Sequence, residues 1–331
     1  MLLMLSGNNF SGEVPKSILN IHRLLLLDLS RNRLSGDTFP ILDPGAFLGY
    51  IDYSSNEFTG EIPTTFPQQT TLLSLSNNRF SGSLPKNLTN WTMLEHLDLH
   101  NNNISGELPH FLSERPMLQI LSLRNNSLTS PIPKGISKLS ILHILDLSSN
   151  NLVGRIPSEI GQLMGMVNGL EILSTSAFSH DIKLLNLAYN NLSGNIPSSF
   201  ANLEHVETLD LSHNKLSGSI PESLAKVHQS AVLDVSNNEL TSRIPVGDQM
   251  DTMNIPSYYA NNSGSCGIQI QKPCLKDEQP AKPIKEEKKQ VFSWIGAGIG
   301  FPVGFVYTVL IVYMSGFFNP RTPWRRIIRR T

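Results

Sequence analysis

Hydrophobic and polar residues alternate in a pattern that returns along most of the chain. "LDLHNNNISGELP" at residues 97–109 is followed by "LSLRNNSLTSPIP" at 121–133 and "LDLSSNNLVGRIP" at 145–157, each starting 24 residues after the previous one. The Leu-x-Leu alternation is typical of a short strand with one buried face. Ten copies begin at apolar positions: Leu3, Leu27, Ile51, Leu73, Leu97, Leu121, Leu145, Leu185, Leu209 and Leu233. Such a period predicts a solenoid whose neighbouring repeats bury one another.

An asparagine occupies the same position in every copy. Its amide can bond the backbone of a turn from inside, so we expect an asparagine ladder along the stack. A glycine and an Ile-Pro or Leu-Pro pair follow, where the chain has to bend and start its next segment. Together these features predict an α/β-type, leucine-rich-repeat solenoid with short parallel β-strands over residues 1–245. The predicted ladder consists of Asn8, Asn32, Asn56, Asn78, Asn102, Asn126, Asn150, Asn190, Asn214 and Asn238.

One repeat is interrupted. Leu145 and Leu185 are 40 residues apart, which is one repeat and sixteen further residues. The surplus lies within residues 164–181, which lack the asparagine and the Gly-x-Ile-Pro marks. It is either a plain surface loop or an insertion that binds a ligand, since recognition residues are often carried on loops. Both interpretations stay open here.

Two cysteines follow the last repeat. Cys266 and Cys274 are too few for a disulfide framework or a four-ligand zinc site. They lie in residues 246–274, where the apolar end of a solenoid requires a cap. We predict that they form a disulfide, which implies an oxidising compartment; two free thiols are the alternative.

The last part of the chain changes in composition. Residues 275–290 carry charges of both signs, prolines and no aromatic residue, which is typical of a solvated juxtamembrane linker. Residues 291–318 contain no charged residue and are long enough to cross a bilayer as one transmembrane helix. Residues 319–331 contain five arginines, which favour the cytoplasmic side and place the repeats outside the cell.

Three glycines in the predicted span, Gly296, Gly300 and Gly304, are spaced four apart. They would share one helix face and allow close contact with a second membrane helix. A phosphate-binding loop would need a preceding strand and an exposed helix start, which an uncharged span does not offer. The general abundance of glycine in membrane helices is the alternative explanation.

The outward strand positions are the candidate ligand face. Aspartate recurs between the two leucines, at Asp98, Asp146 and Asp210 among others, and such an acidic stripe suits basic or peptide ligands. The alternative explanation is that aspartate is simply common at this position of the repeat and keeps the surface soluble. The more variable neighbours His96, His100, Arg124 and Tyr189 are better candidates for specificity.

Other chemistry is weakly indicated. A net charge of −1 gives no sign of nucleic-acid binding. The sequence contains neither Gly-x-Ser-x-Gly, His-Glu-x-x-His nor kinase signatures, so we expect no catalytic, metal or cofactor site. Seven Asn-x-Ser/Thr sequons are candidate glycosylation sites: Asn9, Asn87, Asn90, Asn103, Asn125, Asn191 and Asn261.

This layout resembles the plant leucine-rich-repeat receptor-like proteins, which are cell-surface receptors without a kinase. The resemblance rests on the L-x-x-L-x-L-x-x-N-x-L-S-G-x-I-P repeat, "NNSGSCG" after the last repeat, the Gly-rich span and the short basic tail. It implies a single-pass plasma-membrane protein that binds an extracellular peptide, protein or glycan. It also implies signalling in defence or development through a receptor kinase contacted at Gly296, Gly300 and Gly304.

The sequence departs from that family in several features. Family members begin with a signal peptide and a cysteine-paired cap, and neither is found here, so we expect an N-terminally truncated member. Their insert is longer and precedes four repeats rather than three, and their juxtamembrane segment is acidic rather than lysine-containing. A tethered decoy or an inhibitor of secreted microbial enzymes is the alternative function.

Overall fold

The computed structural model describes residues 1–21, 23–37, 42–85, 91–110, 116–167, 182–226, 232–247, 250, 253 and 255–274. All of them lie within one compact unit, Met1–Asp277. The predicted linker, membrane span and basic tail lie outside the described residues, as does most of the insert. Within the described part, no helix combines the length and apolar character needed to cross a bilayer.

Ten short strands, one from each repeat, form one parallel sheet, in which each strand pairs with the corresponding strand of the next repeat. The central leucines are in register: Leu97 lies opposite Leu121, which lies opposite Leu145. We number the repeats from 1 to 10 by these strands. The strands are β1 (Leu2–Met4), β3 (Leu26–Asp28), β5 (Tyr50–Asp52), β7 (Leu72–Ser74), β9 (His96–Asp98), β11 (Ile120–Ser122), β13 (Ile144–Asp146), β15 (Leu184–Asn186), β17 (Thr208–Asp210) and β19 (Val232–Asp234).

A second set of parallel strands follows the ladder asparagines, where the sequence predicted only a bend. These strands form sheets of three, three and five members. Single bridges from Glu61 to Ser81 and from Pro131 to Val153 connect them. The members are β2 (Ser11–Gly12), β4 (Arg33–Gly36), β6 (Glu57–Phe58), β8 (Ser81–Ser83), β10 (Asn103–Gly106), β12 (Ser127–Leu128), β14 (Val153–Arg155), β16 (Asn191–Asn195), β18 (Lys215–Gly218), β20 (Glu239–Arg243) and β21 (Gly264–Cys266).

The described helical segments are mostly short 3₁₀ turns, and Met164–Val167 is a four-residue α-helix. Several of them begin directly after the proline of the Ile-Pro or Leu-Pro pair, whose fixed φ directs the chain into the turn. The α/β description therefore holds for the strands, while the helical side is mainly 3₁₀. These turns are Lys16–Asn20, Lys134–Lys138, Ser158–Gln162, Ser198–Asn202, Glu222–Lys226, Pro256–Tyr259 and Ile268–Ile270.

The core is a continuous column of leucines between the two strand layers. Leu97, Leu121 and Leu145 have no exposed surface, and the same holds for the second leucine of each pair in these repeats. Full burial of such a side chain is worth about 1.5–3 kcal/mol. Because each leucine is covered by the repeats on either side, this burial exists only in the stack.

The asparagine ladder is confirmed. The Nδ2 of Asn150 donates to the carbonyls of Leu123 (3.0 Å), Leu147 (3.1 Å) and Ser148 (3.2 Å), and its Oδ1 accepts from the Leu128 N–H (3.0 Å). One buried amide thus satisfies four backbone groups in two repeats. The same pattern recurs at Asn32, Asn56, Asn78, Asn102, Asn126, Asn190, Asn214 and Asn238.

Gly60 illustrates why the repeat carries glycine after the ladder. Its φ is +80°, and a Cβ built there would lie 2.6 Å from the carbonyl oxygen of Asp37 in the previous repeat. A larger residue would be strained in its backbone and would clash with a neighbouring chain segment.

The repeat register continues beyond Pro245, where the sequence predicted that it fades. Asn262 forms an eleventh rung: its Nδ2 donates to the Val235 carbonyl (2.9 Å) and its Oδ1 accepts from the Leu240 N–H (3.0 Å). Strand β21 then pairs with β20. The Leu-x-Leu signal is lost here because Tyr259 takes the buried position.

Candidate ligand face on the ten-strand sheet

Four rows of side chains cross the ten-strand face, with one member of each row per repeat. In repeat 5 these members are His96, Asp98, His100 and Asn101. His96 and Asp98 flank the buried Leu97 and project from the opposite side of the strand. We call the row of His96 the strand-start row and the row of Asp98 the strand-end row. The row of His100 is the turn row, and the row of Asn101 is the left-handed row, because its residues have positive φ. The left-handed row consists of Gly7, Arg31, Ser55, Asn77, Asn101, Asn125, Ser149, Tyr189, His213, Asn237 and Asn261.

The aspartates of the strand-end row close the strand ends. Oδ1 of Asp146 accepts hydrogen bonds from the Ser148 N–H (3.0 Å) and from its hydroxyl (2.6 Å). Oδ1 of Asp210 accepts from the Ser212 N–H (3.0 Å). Burial raises the pKa of Asp210, and the Ser212 hydrogen bonds only partly offset it. One oxygen of each carboxylate, Oδ1, therefore has a structural role. This role explains why aspartate recurs in the row even if no ligand binds there.

Asp98 is the exception, because its partner is a histidine. His100 Nδ1 lies 2.7 Å from Oδ1 of Asp98. The hydrogen bond that His100 donates to Asp98 raises the pKa of His100, and burial opposes this shift. Burial also acts to raise the pKa of Asp98, but the hydrogen bonds and charge of His100 outweigh it, so that pKa is lowered. The pair favours the ionised carboxylate and the protonated imidazole.

His100 also ends a chain of side-chain hydrogen bonds across three repeats. Asn125 Nδ2 donates to Asn101 Oδ1 (2.8 Å), and Asn101 Nδ2 donates to Asn77 Oδ1 (2.7 Å). Asn77 Nδ2 lies 3.1 Å from His100 Nε2, which accepts when the imidazole is neutral. When its imidazole is neutral, the ligand-face candidate His100 is therefore coupled to the half-buried amides of Asn77 and Asn101 and to the exposed amide of Asn125, in its own repeat and the repeats on either side.

Repeats 5 to 7 bring together five of the seven predicted ligand-face residues: His96, Asp98, His100, Arg124 and Asp146. Arg124 is exposed in the turn row, next to His100 in the neighbouring repeat. Its charge lowers the pKa of His100, whereas Asp146 raises it, though both contributions are smaller than that of Asp98.

Tyr189 and Asp210 lie apart from this group, in repeats 8 and 9. Tyr189 is 55% exposed and stacks on His213 of the next repeat, with ring centroids 4.0 Å apart and planes inclined by 12°. His213 and the amides of Asn77 and Asn101 are not among the residues predicted from the sequence. Their shared signal is the position directly before each ladder asparagine.

The other predicted sites are distributed over the surface. Cys266 and Cys274 are joined by a disulfide with Cα atoms 5.2 Å apart, at the end of the stack. Among the sequons, Asn9, Asn103, Asn125 and Asn261 are exposed and Asn191 is half-buried. Asn87, Asn90, Gly296, Gly300 and Gly304 lie outside the described residues.

Two family models match the repeats. One described as "Leucine Rich Repeat" matches residues 69–91, 93–114, 117–139 and 142–163. A second, "Leucine rich repeat", matches residues 168–216 and 180–240. The Arabidopsis thaliana protein "Receptor-like protein 54" is 44% identical over 100 residues, which is 29% of this chain and 12% of that protein.

Solved plant ectodomains share the fold. The ectodomain of the Arabidopsis thaliana receptor kinase GASSHO1/SCHENGEN3, in complex with Casparian strip integrity factor 2, is 34% identical with a TM-score of 0.74. The match covers 82% of this chain and 31% of that one. The Arabidopsis receptor kinase HAESA, in complex with the peptide hormone IDA and the co-receptor SERK1, is 31% identical with a TM-score of 0.67, over 80% of this chain and 42% of that one.

The chain thus covers less than half of the length of each of these proteins. The repeats and the ladder make it a leucine-rich-repeat solenoid, which over part of its length is similar to the Arabidopsis receptor-like proteins.

Proposed function

We propose that this chain is a ligand-binding part of a plant cell-surface receptor-like protein, which binds an extended peptide on the ten-strand face and signals through a partner receptor kinase in defence or development. The observation that carries the proposal is the centre of that face. In repeats 5 and 6 the turn row changes from serine to His100 and Arg124, and the strand-start row changes from aliphatic residues to His96. Related ectodomains crystallised with peptide ligands support it.

The charges at this centre suit a peptide with an acidic group. Arg124 is exposed and always cationic, and the raised pKa of His100 favours a second positive charge beside it. Ile120 and Ile144 are half-buried in the strand-start row and offer apolar contact next to these cations. An acidic side chain or terminal carboxylate would bind over Arg124 and His100, with an apolar neighbour over the isoleucines.

The test uses a displayed library of linear peptides and the full chain. Peptides are selected on the parent chain and then on the variant His96→Ser/His100→Ser/Arg124→Ser. Peptides that bind the parent should be enriched in acidic residues and should lose at least tenfold in affinity on the variant. The control Ser54→His adds a histidine to the same row two repeats away and should leave affinity unchanged. Equal binding to parent and triple variant would refute this ligand face.

We further propose that residues 291–318 anchor the chain in the plasma membrane as one span, with the repeats outside, residues 275–290 as linker and residues 319–331 in the cytosol. The uncharged run followed by five arginines supports this topology. With a signal sequence supplied, protease treatment of intact cells should remove the repeats and spare a C-terminal tag. Protected repeats would contradict it.

The partner kinase is proposed to contact Gly296, Gly300 and Gly304. Replacing all three with leucine keeps the span apolar but removes the close backbone approach. Co-immunoprecipitation of the kinase should fall at matched surface levels. Undiminished recovery would move the contact elsewhere, and peptide binding without any kinase partner would favour the tethered decoy or inhibitor.

In this setting we propose residues 246–274 as the cap sealed by Cys266–Cys274, and glycans on the sequons. Among the sequons that the structure describes, the exposed Asn9 and Asn103 are best able to carry them, since Asn125 and Asn261 each donate a side-chain hydrogen bond to a neighbouring amide. Glycopeptide mass mapping of secreted chain tests this ranking.

A further inference from the structure

The left-handed row contains a notch beside its largest aromatic residue. From repeat 6 to repeat 9 the row reads Asn125, Ser149, Tyr189 and His213, all with φ between +52° and +54°. Tyr189 and His213 stack, so the rings lie across the row. Ser149 is small and occupies the rung on the other side of Tyr189. The free face of the Tyr189 ring therefore borders a rung that no ring fills.

The backbone conformation of Tyr189 is energetically unfavourable for a bulky side chain. Glycine and asparagine tolerate positive φ, but a bulky aromatic residue in this region is an outlier, and such strain is typically retained for function. Its 55% exposure shows that the ring is not held there to fill the core. Its packing contact is the stack on His213, which covers one face of the ring and leaves the side toward Ser149 unexplained.

The groups around the notch are hydrogen-bond acceptors. Asn125 Nδ2 donates toward repeat 5, so its planar amide directs Oδ1 toward repeat 7. Ser149 brings a hydroxyl to the same rung, and Asp146 of the same repeat has one carboxylate oxygen, Oδ1, engaged by Ser148. The π-face of Tyr189 is itself electron-rich. Tyr189 and Asn125 are two rungs apart, with Ser149 between them, and adjacent rungs are about 4.8 Å apart. This leaves room for one flat group over Ser149, between Tyr189 and Asn125.

We infer that this notch binds the guanidinium group of an arginine in the ligand. A guanidinium is planar, stacks on aromatic faces and carries only donors, so it matches the flat space and its acceptors. The inference rests on the proposed peptide-binding function and deepens it. Arg124 precedes Asn125 and would repel a cation alone, but a ligand acidic group over Arg124 would neutralise it. The favoured ligand thus carries an acidic residue and an arginine further toward repeat 8.

The probe is N-acetyl-argininamide, added to full chain labelled with ring-¹³C tyrosine, with Tyr189 assigned by Tyr189→Phe. We expect the Tyr189 ring signals to shift with arginine, less with N-acetyl-lysinamide, and not with N-acetyl-leucinamide or N-acetyl-tyrosinamide. Larger shifts with tyrosinamide would overturn the inference in favour of an aromatic ligand, and equal shifts with leucinamide would show an unselective surface. Tyr189→Leu, read on the arginine probe's own signals, should weaken binding about two- to fivefold.

Two matched serine variants provide the control. Ser149 and Ser55 occupy the same row with φ of +54° and +55°. Ser149→Tyr fills the notch and should abolish the arginine response, whereas Ser55→Tyr adds the same side chain away from the stack and should retain it. Retained binding in folded Ser149→Tyr would overturn the site. If arginine does not bind at the notch but acidic peptides are still selected, the further inference is wrong and the proposed function is unaffected.

Discussion

Leu145 and Leu185 lie directly opposite each other in the ten-stranded sheet, although 40 residues separate them in sequence. The ladder follows: Asn190 Nδ2 donates to the Leu147 carbonyl (3.0 Å) across the same interruption. The repeats on either side of the insert therefore pair as immediate neighbours, and both the strand register and the ladder continue across it.

This relationship predicts that the insert can be removed. Deleting residues 167–182 would restore the ordinary 24-residue spacing between Leu145 and Leu185. We expect the variant to fold with a similar denaturant midpoint, because loop shortening changes stability only modestly. Loss of peptide selection by this folded variant would assign recognition to the insert, whereas unchanged selection would support the plain-loop interpretation. Failure to fold would contradict the independence of the stack.

The ladder predicts a large cost for one amide. Asn150→Ala would leave four backbone groups of a buried turn without their partner, and we expect a loss of about 3 kcal/mol in unfolding free energy. Asn151→Ala, at the exposed neighbouring residue, should cost below about 0.5 kcal/mol. Urea denaturation of the two variants measures the difference. Similar losses for both would mean that the ladder amides are dispensable.

The Asp98–His100 pair predicts a pH-dependent contribution to stability. Because the pKa of His100 is raised in the folded state, its contribution is fully present below the unfolded value, about 6.5, and is lost as the pH rises through the folded value. The destabilisation caused by His100→Gln should thus be larger at pH 5.5 than at pH 8.

Asp98→Asn should abolish the same pH dependence, because Asp98 is the main cause of the raised pKa. The double variant should show no additional pH dependence. Denaturant titrations at the two pH values provide the measurement. A His100→Gln effect that is equal at both would contradict the coupling.

The disulfide predicts a redox-sensitive end of the stack. Cys266 and Cys274 close a loop with a sequence separation of 8, for which the chain-entropy account gives about 2–3 kcal/mol. Cys266→Ser/Cys274→Ser should lower stability by that order and increase hydrogen exchange at Asn262 and Leu240 before the central repeats. Unchanged exchange at this end would show that Tyr259 and the eleventh rung seal the stack without the bridge.

The sequence by itself determined the solenoid. Each repeat contacts only its neighbours, so one period specifies both the buried leucines and the ladder asparagines, as at Leu145 and Asn150. The outward positions of His96 and Asp98 on one strand also follow from strand alternation. Asn262 shows the limit of this reasoning, since Tyr259 replaces the leucine by which a repeat is recognised.

Only the tertiary structure decided which polar side chains meet across repeats. Tyr189 stacks on His213, and Asn77 contacts His100, because positive φ at the left-handed row turns these side chains along the stack rather than away from it. The second set of strands arises likewise from backbone pairing between equivalent segments of two to five residues. Such pairing depends on the spacing of whole repeats, and strands this short have too few side chains to show it in the local sequence.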